Sequence, residues 1–127
     1  YAPETLVEGR KLYMRPLPVE AFIPAVGQGI VGMECRSSDR ETMEMLAGVS
    51  EPEAFACALA ERAFLVRLGA SCSTPVGVYA RLEGHELVLR AAYYAPGREE
   101  PFAVVVRGDR KEPGVLGLRA FEELDLR

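Results

Sequence analysis

Three kinds of side chain in this sequence have chemistry to offer: thiols at Cys35, Cys57 and Cys72, guanidinium groups, and a lone imidazole at His85. Cys72 stands apart. It lies in the run Ala70-Ser71-Cys72-Ser73-Thr74-Pro75, small and polar on both sides, where an exposed sulfur could act as a nucleophile. Its neighbours in sequence include no base to lower its pKa, and an isolated cysteine is more often a small apolar packing residue. Cys57, set among Phe55, Leu59 and Ala60, fits that second description. The cysteines are odd in number and widely spaced, which suits reduced thiols in a cytosolic protein better than a disulfide scaffold. With His85 they form no C-x-x-C or H-x-x-x-H pair, so no zinc site is expected. No Ser-His-Asp arrangement can be assembled around a single histidine, and His85 reads as an exposed turn residue.

Arg62 is the second residue of interest. At about 100° per residue on a helix, it falls on the same side as Phe55, Leu59 and Val66. A guanidinium there either snorkels to solvent, pairs with a carboxylate of the chain, or holds a ligand carboxylate through its bidentate fork. The pattern alone leaves these open. Gly27-Gln28-Gly29 resembles part of a phosphate cradle, but the rest of that fingerprint is missing, and a tight turn is the expectation.

These residues need elements to position them. Ser38-x-x-Glu41 is a capping-box pattern that predicts a helix carrying Met43, Leu46 and Ala47 and ending at Gly48. A second box, Ser50-x-x-Glu53 with Pro52 in its first turn, predicts a longer helix to about Leu68, closed by Gly69 in the left-handed conformation. That helix is apolar on nearly every side and is expected to be largely buried. Strands are predicted over 76–82, 87–94 and 102–107, the first two joined by Gly84-His85 as a two-residue hairpin turn, and a last helix over about 115–124. The order helix, helix, three-strand meander, helix favours an α+β fold, a three-stranded antiparallel sheet with helices packed on one face.

The upstream part reads differently. Lys11-Leu12-Tyr13-Met14-Arg15 is strand-like, and Ile30-Val31-Gly32-Met33-Glu34-Cys35 reads as a short strand with Gly32 marking a bulge or a close approach. Nothing nearby offers that strand a partner, so pairing outside this chain is expected, with self-association through it as an alternative. Residues 1–36 and 37–127 therefore separate. A start at Tyr1 rather than Met suggests a piece of a longer protein.

Composition sets the outer limits. The 127 residues allow one compact domain, and 49% hydrophobic residues supply a core for it. A net charge of −4 without a Lys/Arg cluster argues against a nucleic-acid partner. No apolar run approaches the ~20 residues of a spanning helix, and the first residues show no leader pattern. A cytoplasmic protein is the expectation.

Three stretches taken in series resemble one family: Pro24-Ala25-Val26-Gly27-Gln28-Gly29 leading to Glu34-Cys35-Arg36, then Ala60-Glu61-Arg62-Ala63-Phe64-Leu65, then Leu68-Gly69-Ala70-Ser71-Cys72 followed by Pro75-Val76-Gly77. Their order and spacing are similar to the C-terminal part of porphobilinogen deaminases (hydroxymethylbilane synthases), closely over residues 22–92 and loosely beyond.

The resemblance implies a three-domain protein of which this chain covers the last two-fifths. Residues 1–36 would be the tail of the second domain and the strand returning to the first, and 37–127 the C-terminal cofactor-attachment domain. It implies a transferase, monomeric when complete, that deaminates and joins four porphobilinogen molecules into the linear tetrapyrrole hydroxymethylbilane. The primer would be a dipyrromethane cofactor held as a thioether on Cys72. Arg62 matches an arginine that meets cofactor and growing-chain carboxylates, Gln28 matches a glutamine near the cofactor, and Arg36 has a structural role as readily as a binding one. The family's catalytic aspartate and most of its carboxylate-binding arginines belong upstream, so no catalytic residue is expected in this chain and the isolated piece should not turn over. Ala70 and Ser71 stand where the family commonly has glycines, which bears on loop flexibility. A competing reading, from a different class, is a non-catalytic α+β ligand-binding or regulatory module with a free thiol at Cys72.

Overall fold

The computed structural model describes residues 5–7, 10–13, 15–124 and 126. The elements run β1 (Thr5–Val7), β2 (Arg10–Leu12), α1 (Arg40–Val49), α2 (Pro52–Leu68), β3 (Val76–Glu83), β4 (Glu86–Tyr93), β5 (Phe102–Asp109) and α3 (Pro113–Glu123). Strands β3, β4 and β5 form one antiparallel sheet in that order. The Glu83↔Glu86 pair leaves Gly84 and His85 as a two-residue turn, with Gly84 at φ +64° and His85 exposed. Such a turn needs positive φ to match the twist of the flanking strands, and glycine supplies it.

Alternation along the strands gives the sheet a core face. Val78 and Ala80 of β3, Leu87, Leu89 and Ala91 of β4, and Val106 of β5 point to it, and Phe64 of α2 with Leu116 and Ala120 of α3 close over them. The rings of Phe64 and Phe121 meet edge to face, 6.2 Å between centroids. α2 and α3 lie against each other closely because Gly117 faces α2: a Cβ there would strike the Ala60 carbonyl oxygen and come within 2.8 Å of the Ala63 Cβ. The α+β architecture expected of the sequence is the one observed.

Several local expectations are corrected. The N-cap of α1 is Asp39, not Ser38, because its carboxylate accepts from both the Thr42 N–H at 3.0 Å and the Thr42 hydroxyl at 2.8 Å. α1 also runs past Gly48 to Val49, buries no residue, and packs against none of the other elements. Glu51, not Ser50, caps α2, and no side chain bonds the first turn; Pro52 opens the helix, having no N–H to satisfy. Residues 30–36 form no strand, and Gly32 marks neither a bulge nor a close approach. A lone extended segment has no ladder to join, and the free edge of β3 is occupied otherwise, as described below. The upstream strand covers Arg10–Leu12 and pairs with Thr5–Val7 in a two-stranded sheet that the sequence reading did not foresee; Met14 lies outside the described residues.

Gly69 behaves as expected, closing α2 at φ +68° with its N–H on the Val66 carbonyl. Nothing lies within 4 Å of a Cβ built there, so only backbone strain opposes a side chain. Gly69→Ala should therefore cost about 1 kcal/mol, read as a lowered urea midpoint at unchanged slope.

Candidate functional site

The thiol expected to be reactive lies on the turn between α2 and β3. Ser71 and Thr74 build that turn: the Ser71 N–H donates to Thr74 Oγ1 at 2.9 Å, and the Thr74 N–H returns to the Ser71 carbonyl at 3.0 Å. The Ser71 and Ser73 hydroxyls are 3.0 Å apart. β3 then begins under the Val76 N–H to Thr74 carbonyl bond, and the Pro75 carbonyl accepts from Tyr94 N–H. Cys72 sits at the exposed tip. Short hydroxyl side chains thus give shape to a loop in which glycines would have left it loose.

The other thiols differ. Cys35 and Cys57 are only partly exposed. Burial pushes the Cys57 thiol up, and the nearby carboxylates of Glu61 and Glu53 push it further. A thiolate is the reactive form of cysteine, so this environment works against nucleophilic use of Cys57.

Arg62 is exposed on α2, and no ion pair engages it among the described residues. Its helix is not buried all round, as its composition led one to expect. Only Ala60, Glu61 and Phe64 are buried, whereas Phe55 is 60% exposed, Leu59 41% and Val66 80%. The outward stripe that carries Arg62 is therefore apolar yet bare. From Arg62 to the end of α2 at Leu68 is six residues, ~9 Å along the axis, and Cys72 follows across the turn.

Gln28 occupies a strap over residues 24–29. Two successive turns shape it, Gln28 N–H to the Ala25 carbonyl and Ile30 N–H to the Gly27 carbonyl, each 3.0 Å. Gly27 at φ +68° and Gly29 at φ +86° adopt the conformation such turns require, in agreement with the tight turn expected. Gln28 folds back so that its Oε1 accepts from Ala25 N–H at 3.1 Å, leaving its amide hydrogens to face outward partners. The strap lies along the edge of β3, where the Pro24 carbonyl accepts from Val78 N–H at 3.0 Å.

Glu61, the residue before Arg62, was not singled out by the sequence. It is 3% exposed, and its two oxygens accept from Ala80 N–H at 2.8 Å and Gly27 N–H at 2.7 Å. With Gln28, Cys57, Tyr79 and Arg81 it lines a cavity of about 280 Å³; neither Arg62 nor Cys72 reaches that cavity. The structure thus separates the three expected site residues, Gln28 on the strap, Arg62 on the bare stripe and Cys72 on the turn. Among the described residues no cluster of His, Cys, Asp or Glu is arranged to hold a metal ion, and no helix is long and apolar enough to cross a membrane.

Burial raises the Glu61 carboxyl above its ordinary value, while the Ala80 and Gly27 N–H groups pull it back. A carboxyl whose pKa is higher folded than unfolded contributes stability that is complete below about pH 4, near its unfolded value, and is lost as pH rises through its folded value. Glu83 has the opposite slope, being held low by Arg81 and then Arg107. It is common to both proteins when the chain is compared with Glu61→Gln. The stability difference between them should therefore move against the parent chain as pH rises from about 4, then level off; urea midpoints across a pH series measure it.

A profile of the porphobilinogen deaminase C-terminal domain matches residues 55–125. This chain belongs to the porphobilinogen deaminase family. It is 45% identical over 113 residues to a porphobilinogen deaminase of Roseiflexus castenholzii, 85% of this chain and 35% of that protein. A Roseiflexus sp. RS-1 porphobilinogen deaminase is 42% identical over 106 residues, 83% of this chain and 34% of its own length. A probable porphobilinogen deaminase of Hyperthermus butylicus is 41% identical over 108 residues, covering 85% and 36% respectively. The chain spans about a third of the length of these relatives. The stretch matched to the porphobilinogen deaminase profile contains Glu61, Arg62 and Cys72, with α2 from Phe55 onward, the turn and all of β3, and leaves Gln28 outside.

Proposed function

We propose that this chain is the cofactor-bearing part of a hydroxymethylbilane synthase, with a dipyrromethane primer attached through the Cys72 sulfur. The observation that carries this reading is the exposed thiol at the tip of a shaped turn, inside a stretch that belongs to the family. When bound, the primer supplies the free pyrrole carbon on which four porphobilinogen units are assembled into the linear tetrapyrrole, with loss of ammonia at each addition.

The chain's own residues fit that group. Cys72 offers a solvent-facing sulfur with no packing in the way, and a carbon–sulfur bond persists through repeated turnover where an ester would hydrolyse. Each pyrrole carries carboxylates, and Arg62 presents a guanidinium that no carboxylate of the described residues has claimed. Gln28 has its oxygen engaged and its amide hydrogens left over, so it is suited to donate to a carboxylate or carbonyl. Proton transfer and stabilisation of the developing cation fall to the aspartate that the resemblance assigns upstream of these residues. The bare stripe on α2 is suited to face the upstream domains. A cytoplasmic location and a monomeric whole enzyme complete the reading.

The test is chemical. The protein that carries this stretch, together with its upstream domains, is purified, denatured and weighed. The expected mass exceeds that of the polypeptide by one dipyrromethane, the excess maps to the peptide holding Cys72, and an acidic aldehyde reagent for pyrroles gives colour. An unmodified thiol and no colour would overturn the reading and leave a ligand-binding or regulatory module with a free cysteine.

A further inference from the structure

We infer that Glu61 is a positioning residue whose buried carboxylate pins the strap over residues 24–29 to β3 and α2, so that Gln28 keeps a fixed place relative to Arg62. The inference rests on the roles given to Gln28 and Arg62 under the proposed function. Three independent contacts support it. The Glu61 oxygens bridge Gly27 N–H and Ala80 N–H, joining residues 34 and 19 positions away in the chain. The next edge amide of β3, Val78 N–H, bonds the Pro24 carbonyl. A Cβ on Gly77 would come within 2.6 Å of the Ile23 carbonyl oxygen, so the strap can approach the edge only because that residue is glycine.

The geometry shows why a carboxylate stands here. An antiparallel edge strand points every second N–H outward, and a buried one needs an acceptor. A strap carbonyl serves Val78; Glu61 serves Ala80 and uses its second oxygen to hold the strap itself. Gly27, at positive φ, is the strap residue whose N–H meets it. Residues 24–29 carry no charged side chain of their own; besides Glu61 they are held by the Pro24 carbonyl and by Val26, which packs against the core. Glu61 and Arg62 are consecutive on α2, the first turned inward to the strap and the second outward to solvent, which ties the strap's position to the helix that presents the guanidinium.

Amide hydrogen exchange on the 127-residue chain, expressed as protection factors, tests the pin without any cofactor. In Glu61→Ala, protection at Gly27, Gln28 and Ile30 and at the β3 edge amides Val78 and Ala80 is expected to fall tenfold or more beyond any change at Leu89 in the middle of β4. A merely structural role would lower all of these by one common factor, and that result overturns the inference. Glu61→Gln retains one acceptor oxygen and should restore protection at Gly27 or at Ala80 but not both; restoration of both overturns it as well. Should Glu61→Ala not fold, the Gln variant still decides. Failure of the pin leaves the adduct on Cys72 unaffected, and absence of that adduct leaves the exchange result standing.

Discussion

Cys72→Ala should abolish the covalently held pyrrole in the assembled enzyme and lower turnover by about a thousandfold or more, because a tethered acceptor enjoys an effective concentration of roughly 10⁵ M or higher that a free one cannot match. The sulfur is the only part of the turn that this change removes. The bonds shaping the loop come from Ser71, Ser73 and Thr74, and Cys72 makes none of them. The variant should accordingly unfold within about 0.5 kcal/mol of the parent, as exposed substitutions do. Cys72→Ser should fare little better in activity, since a hydroxyl at neutral pH is a far weaker nucleophile than a thiol. Cys57→Ala provides the contrast, keeping the adduct. Intact-protein mass together with an activity assay separates these outcomes. Full activity without a thiol at position 72 would end the cofactor reading.

Gly117→Val should destabilise the domain by about 3 kcal/mol through overpacking, lowering the melting temperature by roughly 10 °C or more for a unit of this size. Gly117 lies where α3 crosses α2, and even a methyl group there meets the Ala60 carbonyl oxygen, the Ala63 Cβ at 2.8 Å and the Phe64 amide at 2.9 Å. Two of these atoms are helix backbone, which cannot step aside as a side-chain tip does. Relief requires the helices to separate, and separation unseats Phe64 and Leu116 from the core. Trimming Ala63 to glycine in the same chain removes one of the three collisions and should recover a minority of the loss. Thermal unfolding followed by circular dichroism measures both. A Gly117→Val chain as stable as the parent would mean that the α2–α3 contact is looser than these distances state.

The meander and the C-terminal end of α2 were legible because their signals are local. Gly84-His85 and Gly69 each solve a backbone problem that adjoining residues pose, and each does so in the structure. The start of α1 was legible only to within one residue, since Ser38 and Asp39 are both competent caps and the choice is made by which one Thr42 can reach with both its N–H and its hydroxyl. The segment over 30–36 misled for the opposite reason: apolar β-prone residues make a strand only beside another strand, and sequence does not say who stands beside them. Composition likewise predicted a buried α2, when apolar residues outnumber what its neighbours can cover and the remainder faces outward.

Of the candidate site, Cys72 and its exposure could be foreseen from the small polar residues around it. Glu61 could not. Its role is defined by two amide groups 34 and 19 residues distant, and no spacing within α2 announces that a charged residue beside Arg62 turns inward. The one available clue was negative: an acidic residue on the side of α2 that carries Phe64 and Leu68 needs donors to make it tolerable.

The uncovered flank of α2 also sets how a stand-alone preparation behaves on the bench. Phe55, Leu59 and Val66 expose more than two-fifths of their surface apiece along one line, interrupted by a single positive charge. Sulfate strengthens the attraction between such greasy strips and masks the repulsion between the arginines at their centres, so this polypeptide should salt out early. Val66→Lys, lodged in the same strip, should raise the ammonium sulfate concentration needed to bring it down.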